Sequence, residues 1–378
     1  MKVLLAPDKF KGSLTAAQVV HHLGSGLQQR GIRYDGLPLA DGGDGSVAAA
    51  AAAGFRSLKV DVAAATGERH LAAIAFDGVT AVVEVANTCG LHTLQGGAPA
   101  PLSASSAGLG DAVREALQLK AKRIVLALGG SASTDGGVGM LTVLGARFRD
   151  EAGQAVTPDG RSLNRIHTVD LTELPDLTQT EIIIASDVQN PLTGPDGAAA
   201  VYGPQKGADP RQVVKLDAGL THLVDRLAAD GHPTARRLAA TAGAGAAGGL
   251  GFAGLLLGGQ VVSGADFFLD LLQFDTHLDG CDLVITGEGR IDNQTLHGKL
   301  PAIVARRASP IPVIAVVGRS DLSDTAQHAM GLVAVHAIAD HTDGNPADDP
   351  ALSAQLLEDL GRTMPLPARP TAQIGPTS

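Results

Sequence analysis

The chain has 378 residues, a formal net charge of −10, 44% hydrophobic residues, 48 glycines, few aromatics and no tryptophan. That length favours two domains, with Ala, Val and Leu supplying most of the packing. The acidic balance argues against nucleic acid or an anionic membrane as partner, because both select a basic face. It leaves room for a small anion held by local lysines. Cys89 and Cys281 stand far apart, so no disulfide framework is expected and a reducing cytoplasm fits. Glycine interrupts every long apolar stretch, so no transmembrane helix is expected, and the opening residues do not read as a cleavable leader.

The first element is a short apolar strand over residues 3–6. It breaks at Pro7 and runs through Asp8, Lys9, Lys11, Gly12 and Ser13 into a helix. The helix has apolar residues at Ala16, Val19, Val20, Leu23 and Leu27, the spacing of one buried face. Thr15 and Gln18 fit a capping box. A carboxylate, two ammonium groups and a hydroxyl thus gather at the carboxyl end of a strand, where ligands bind in open α/β sheets. Lysines beside a helix N-terminus suit an anion.

A Gly-rich loop at 39–45 leads into an Ala-rich helix over 46–53. Residues 58–62, 71–76 and 81–85 then read as three short strands of an antiparallel meander. A helix follows over about 106–119, then an apolar strand at 123–128, a Gly-rich loop at 129–137 and a helix to about 148. A strand at 181–185 ends in Ser186-Asp187-Val188-Gln189-Asn190-Pro191-Leu192. Residues 209–240 have a helical pattern. The closing part alternates a strand at 282–286, a loop at 287–292, a helix from near Pro301, and strands at 312–317 and 332–338, which implies a parallel sheet. The opening unit has the same style. One parallel-sheet domain built from both chain ends is therefore expected, over 1–45 and 278–364, with a mixed α/β domain inserted at 46–277. The tail from 365 to 378 reads as disordered.

Four Gly-rich acidic loops, at 41–45, 129–137, 187–197 and 286–292, each follow a strand or an apolar run. Glycine presents backbone N–H groups to phosphate oxygens, and Asp holds Mg²⁺ or accepts a proton from a hydroxyl nucleophile. Phosphoryl transfer needs both, with cations to neutralise the transferred group. Lys9, Lys11, Lys206 and Lys299 are available. A single Asp-Gly loop is more often only a turn; four at strand ends favour a site. Gly243-Ala-Gly245-Ala-Ala-Gly248 matches a dinucleotide fingerprint in letters alone, since it follows a helical pattern rather than a strand; tight packing or a ligand-facing loop fits better. Gly298-Lys299 is followed by Leu300, so there is no P-loop. The histidines show no metal-ligand spacing.

Seven ordered motifs carry a resemblance: 6–14 (APDKFKGSL), 40–45 (ADGGDG), 129–137 (GGSASTDGG), 186–192 (SDVQNPL), 202–207 (YGPQKG), 245–251 (GAAGGLG) and 282–292 (DLVITGEGRID). Together they resemble the bacterial glycerate kinase family, of the glycerate 2-kinase type, to about residue 340. One departure is Ala132-Ser133-Thr134, where the family usually has Ala-Thr-Asn before Asp135. The resemblance implies a flavodoxin-like domain with an inserted domain of restriction-enzyme-like fold. It implies ATP-dependent phosphorylation of D-glycerate to 2-phosphoglycerate, with Mg²⁺.

On this reading Asp187 or Asp41 accepts the hydroxyl proton, with Asp187 slightly preferred. Lys9, Lys11 and Ser13 meet the glycerate carboxylate or the γ-phosphate, and Asp8 serves to orient the lysines. Asp44, Asp135 and Glu288 are the candidate Mg²⁺ shell. Lys206, Arg290 and Lys299 face phosphate charge, while Gly129, Gly130, Ser131 and Gly287 belong to loops cradling phosphates. The cleft between the two domains is the expected seat of both substrates. The alternatives are a Mg²⁺-dependent phosphatase or hydrolase and a non-catalytic sugar-acid sensor. Monomer and homodimer both stay open.

Overall fold

The computed structural model describes residues 1–292 and 299–367. Gly298 and residues 368–378, most of the expected tail, lie outside the described residues. In chain order the principal elements are β1 (Lys2–Pro7), α1 (Ala16–Gln29), β2 (Arg33–Gly36), α2 (Ser46–Ala52), β3 (Arg56–Ala63), β4 (Arg69–Phe76) and β5 (Thr80–Glu84). Then come α3 (Ala107–Gln118), β6 (Arg123–Ala127), α4 (Val138–Val143), β7 (Glu181–Ala185), α5 (Pro210–Ala229) and β8 (Gln260–Val262). The closing part supplies β9 (Leu283–Gly287), α6 (Leu300–Ala308), β10 (Val313–Val317), β11 (Leu332–Ala337) and α7 (Pro350–Thr363).

Two compact units divide this chain. The first is Met1–Asp41 with the chain from Phe268 onward, and the second is Gly42–Phe267. The first unit carries a five-stranded sheet in the order β11-β10-β9-β1-β2, every pair parallel. Numbered within the unit, that order is 2-1-3-4-5, the flavodoxin-like doubly wound arrangement. Its central strands β1, β9 and β10 are buried, mostly Val/Ile/Leu runs because helices cover them. Val3, Leu5, Leu283, Ile285, Ile314 and Val316 are buried with Val19, Leu23 and Leu27 of α1 and Leu357 and Leu360 of α7. The capping box at the start of α1 is present, with Thr15 accepting from the Gln18 N–H and the Gln18 side chain accepting from the Thr15 N–H.

The second unit carries a six-stranded sheet in the order β8-β7-β6-β5-β4-β3. The β8-β7, β7-β6 and β6-β5 pairs are parallel and the β5-β4 and β4-β3 pairs antiparallel, so the meander forms one half of a mixed sheet. Val83, Ile124, Leu126 and Ile184 meet Leu109, Leu141, Leu220 and Phe252 in its core. The long helical pattern after residue 209 resolves into α5, capped by Asp209 and opened by Pro210, and a short helix at Ala235–Ala239. The glycines of 243–251 serve packing: a Cβ on Gly248 would lie 2.1 Å from the Ser133 carbonyl oxygen. Among the described residues, no helix is long and apolar enough to cross a membrane.

Candidate active site

In the first unit the strand order reverses between β1 and β9, and ligands of open α/β sheets bind outside the carboxyl ends of strands at such a switch point. Asp8 directly follows β1 and Glu288 directly follows β9. The Asp8 N–H donates to the Gly287 carbonyl at 2.8 Å, which locks the two strand ends together. Gly287 itself is obligatory there, since a Cβ would lie 1.9 Å from the Val316 carbonyl oxygen. Its role is close strand packing, a more specific requirement than the phosphate cradle expected of it.

Asp8 is buried. Its carboxylate accepts the Lys9 N–H at 2.7 Å and faces Lys9 Nζ at 3.6 Å. Desolvation, with the negative charge of Asp41 and then Glu288, pushes its pKa up to about 7, against the opposing pull of Lys9. Asp8, Lys9, Asp41 and Glu288 thus form one interacting group within this unit. Sequence reading placed Asp8 among the substrate- and phosphate-binding residues, as a group that orients the lysines, and gave it no proton-accepting role. The signal that it is more was a carboxylate placed straight after a fully apolar strand.

Arg290 and Lys299, expected to neutralise phosphate, already face carboxylates. Arg290 pairs with Asp321 at 2.6 Å and lies 4.0 Å from Asp292, while Lys299 lies 3.8 Å from Asp292. Arg319 joins the same cluster, 3.0 Å from Asp321. Lys11 is exposed, and the Ser13 hydroxyl is buried with no hydrogen-bond partner among the described residues.

In the second unit three of the expected loops converge at the carboxyl ends of the parallel strands. A Cβ on Gly129 would lie 2.5 Å from Gly43 Cα, and one on Gly42 would lie 2.7 Å from the Ala185 carbonyl oxygen. This packing is why 42–45, assigned from sequence to the opening domain, falls within the second unit. Asp44 is half-buried in this loop. Asp187 is exposed, with Oδ1 accepting the Gly264 N–H at 2.9 Å. Glu84, buried at the end of β5, accepts the Val47 N–H at 3.0 Å and so holds the start of α2. Sequence reading missed it, although a charged residue ending the run Thr-Ala-Val-Val-Glu was the available sign.

Lys206 is buried and donates to Ser131 Oγ at 2.7 Å and to the Ser133 carbonyl at 2.5 Å. Burial lowers its pKa to about 8. It fixes the 129–133 segment from beneath, with Gly130 in the left-handed region at φ 75°. Ser133 Oγ and Thr134 Oγ1, the two side chains that depart from the usual motif, are buried without hydrogen-bond partners among the described residues.

Asp135 requires a correction. It is fully buried, and its oxygens accept the Ser106 N–H and hydroxyl, each at 2.8 Å, the Gly137 N–H at 3.0 Å and the Gly139 N–H at 3.2 Å. A carboxylate so engaged ties the loop to α3 and α4 and is already committed to structural hydrogen bonds. Among the described residues, no group of three or more His, Cys, Asp or Glu side chains is arranged to hold a metal.

With this geometry established, comparison with known proteins is decisive. The model of the Glycerate kinase family matches residues 3–363. The chain belongs to the glycerate kinase family. It is 39% identical to the glycerate kinase of Bacillus subtilis (strain 168) over 347 residues, covering 89% of this chain and 90% of that protein. It is 38% identical to the glycerate 2-kinase of Escherichia coli (strain K12), with the same coverage. A crystal structure described as "putative glycerate kinase 2 from Salmonella typhimurium LT2" superposes with a TM-score of 0.77 at 37% identity, covering 95% of this chain and 97% of that one. A glycerate kinase fold accordingly accounts for both sheets and the loops at their carboxyl ends.

Proposed function

We propose that this glycerate kinase family member transfers the γ-phosphoryl group of ATP to D-glycerate, forming 2-phosphoglycerate. The observation that carries the reading is the grouping of Asp8, Lys9, Asp41 and Glu288 at the switch point of a flavodoxin-like sheet. A nucleophilic hydroxyl needs a proton acceptor, and a carboxylate titrating near neutrality is matched to that task. We assign it to Asp8, in place of the Asp187 preferred from sequence. Lys9 carries the positive charge that a transferred phosphoryl group needs. In the second unit Lys206 holds the Ser131 hydroxyl, in a Gly-rich loop whose N–H groups suit the oxygens of an anion.

Mg²⁺ fits the first unit's donors. Burial, followed by the negative charge of Asp41 and then Glu288, raises the Asp8 pKa there, and Mg²⁺ is commonly held by one or two carboxylates together with phosphate oxygens. Asp41 and Glu288 would hold it. Bound there, the ion supplies charge neutralisation for the phosphates.

Purified protein with ATP, Mg²⁺ and D-glycerate tests the reading. ADP formation strictly dependent on glycerate, with a phosphomonoester on C2 by phosphorus NMR, is expected. ADP release at the same rate without glycerate marks a hydrolase and overturns it.

A further inference from the structure

The motif at 202–207 (YGPQKG) engages two loops, one at each of its ends. These loops leave the neighbouring parallel strands β6 and β7 at the same level, since Ala127 stands opposite Ala185. At one end Lys206 Nζ reaches Ser131 Oγ and the Ser133 carbonyl, in the loop after β6. At the other the Tyr202 hydroxyl donates to Asn190 Oδ1 at 2.6 Å, in the loop after β7.

The Tyr202 bond has a fixed direction. Asn190 Nδ2 donates to the Asp196 carbonyl at 2.8 Å, so Oδ1 is the acceptor. Half-burial raises the pKa of the phenol, which therefore stays protonated and donates. The Asn190 carbonyl accepts the Gly245 N–H at 2.9 Å. Asn190 is thus held by three partners. A Cβ on Gly245 would lie 2.3 Å from the Pro191 carbonyl oxygen, so glycine backbone packs directly against the same loop.

Between its two anchors the motif is stiff. Pro204–Lys206 form one 3₁₀ turn, with Pro204 fixing its own φ. The Lys206 N–H donates to the Gly203 carbonyl, the Gly207 N–H to the Pro204 carbonyl and the Ala208 N–H to the Gly203 carbonyl, each at 3.0 Å. Gly207, at φ 90°, sits against Pro99, where a Cβ would lie 2.3 Å from the Pro99 Cβ. A shift at one anchor is passed to the other rather than absorbed between them. The anchors are buried or half-buried, and the two loops still expose Gly130, Asp187 and Gln189.

We propose that Tyr202 is a positioning residue, and that with Lys206 it makes 202–207 a bracket setting the loops after β6 and β7 as one anion-binding surface. The role rests on the reading that Gly-rich loops of this unit hold a substrate anion. Tyr202 acts through Asn190 rather than on the reacting atoms. Loops ordered independently would each lose freedom when the anion binds; a bracket orders both beforehand and reduces that cost. Sequence reading quoted Tyr202 within a motif and gave it no role.

Tyr202→Phe deletes one hydroxyl and Lys206→Met one ammonium. The double variant completes a cycle, with melting curves to confirm folding. Amide hydrogen exchange reads the coupling without turnover. Tyr202→Phe is expected to speed exchange at 129–133 as well as at 187–196, and Lys206→Met to speed both in turn. Tyr202→Phe is also expected to lower kcat/KM about tenfold through the KM of one substrate, with kcat within about twofold. A merely structural role would reduce the active fraction, hence kcat, and leave both KM values alone. With Lys206→Met at about 10²-fold, independent effects would multiply to about 10³-fold, whereas the double variant is expected to stay near about 10²-fold. Exchange changes confined to each variant's own loop, unchanged KM values, or multiplying effects overturn the bracket. A wild type without glycerate-dependent turnover defeats the kinase reading by itself; joint acceleration in exchange then still upholds the bracket, and its absence overturns it.

Discussion

Lys9 turns back on its own neighbour, with Nζ 3.6 Å from Asp8 Oδ2, yet Asp8 still titrates at about 7. Burial and the carboxylates of Asp41 and Glu288 outweigh the one ion pair. A carboxyl whose folded pKa is raised above 3.8 binds more protons folded than unfolded. Its contribution therefore favours the fold at low pH and is lost as pH rises from about 4 to about 7.

Asp8→Asn removes that penalty. At pH 8 the variant is expected to be more stable than the wild type, by up to about 4 kcal/mol if the whole shift is recovered. The gain should shrink toward pH 4. Glycerate phosphorylation should fall by about 10²–10⁴-fold with the loss of a proton acceptor. Urea titrations at pH 4.5 and 8, alongside steady-state rates, check both signs. A variant as active as the wild type returns the proton-acceptor role to Asp187.

Lys206 gives the opposite slope. Its folded pKa, lowered by burial to about 8, lies below the unfolded 10.5, so the unfolded chain binds more protons between these values. Stability from this group rises as pH climbs through that window. Lys206→Met should abolish the rise and leave Ser131 without its donor. A drop of about 10²-fold in kcat/KM is expected if Ser131 touches the transferred or accepting group. Thermal melts from pH 7.5 to 10.5 separate the titration from the kinetic effect.

Much of this arrangement is local and therefore legible in the amino-acid sequence. The capping box at Thr15 and Gln18 lies within one turn. The strand ends at Ala127, Ala185 and Gly287 each run into a Gly-rich loop that period and composition identify, and the strand end at Pro7 runs into the charged segment at 8–13. What escaped is non-local. Asp135 resembles a ligand because Asp-Gly-Gly serves turns and metal sites alike; only Ser106, distant in the chain, shows its Oδ2 to be engaged twice over. Arg290 looks unpaired until the loop after β10 brings Asp321 beside it. The order 2-1-3-4-5 likewise depends on which strands pair across hundreds of residues, which alternation of strands and helices does not specify.

Asp135→Asn tests that correction. One oxygen becomes an NH₂ that faces N–H and O–H donors in a fully buried site, so a loss of about 2–4 kcal/mol is expected. The Mg²⁺ concentration for half-maximal rate should stay unchanged in the folded fraction. A selective rise in that concentration, with wild-type stability, returns Asp135 to the metal shell.

The seam between α1 and α7 supplies the last prediction. A Cβ on Gly26 would lie 2.1 Å from the Glu358 carbonyl oxygen and 2.9 Å from the Arg362 nitrogen, both backbone atoms. A Cβ on Gly361 would in turn lie 2.4 Å from the Leu23 carbonyl oxygen. The helices touch through missing side chains, and no rotamer change relieves a clash with backbone. Gly26→Ala, normally a helix-favouring change of about 1 kcal/mol, should instead destabilise by about 1–3 kcal/mol through overpacking. Because α7 packs over the same core as β1 and β9, proteolysis near 363 should accelerate in the variant. A melting temperature at or above that of the wild type would show that the helices can separate without penalty, and the packing described for this seam would then be wrong.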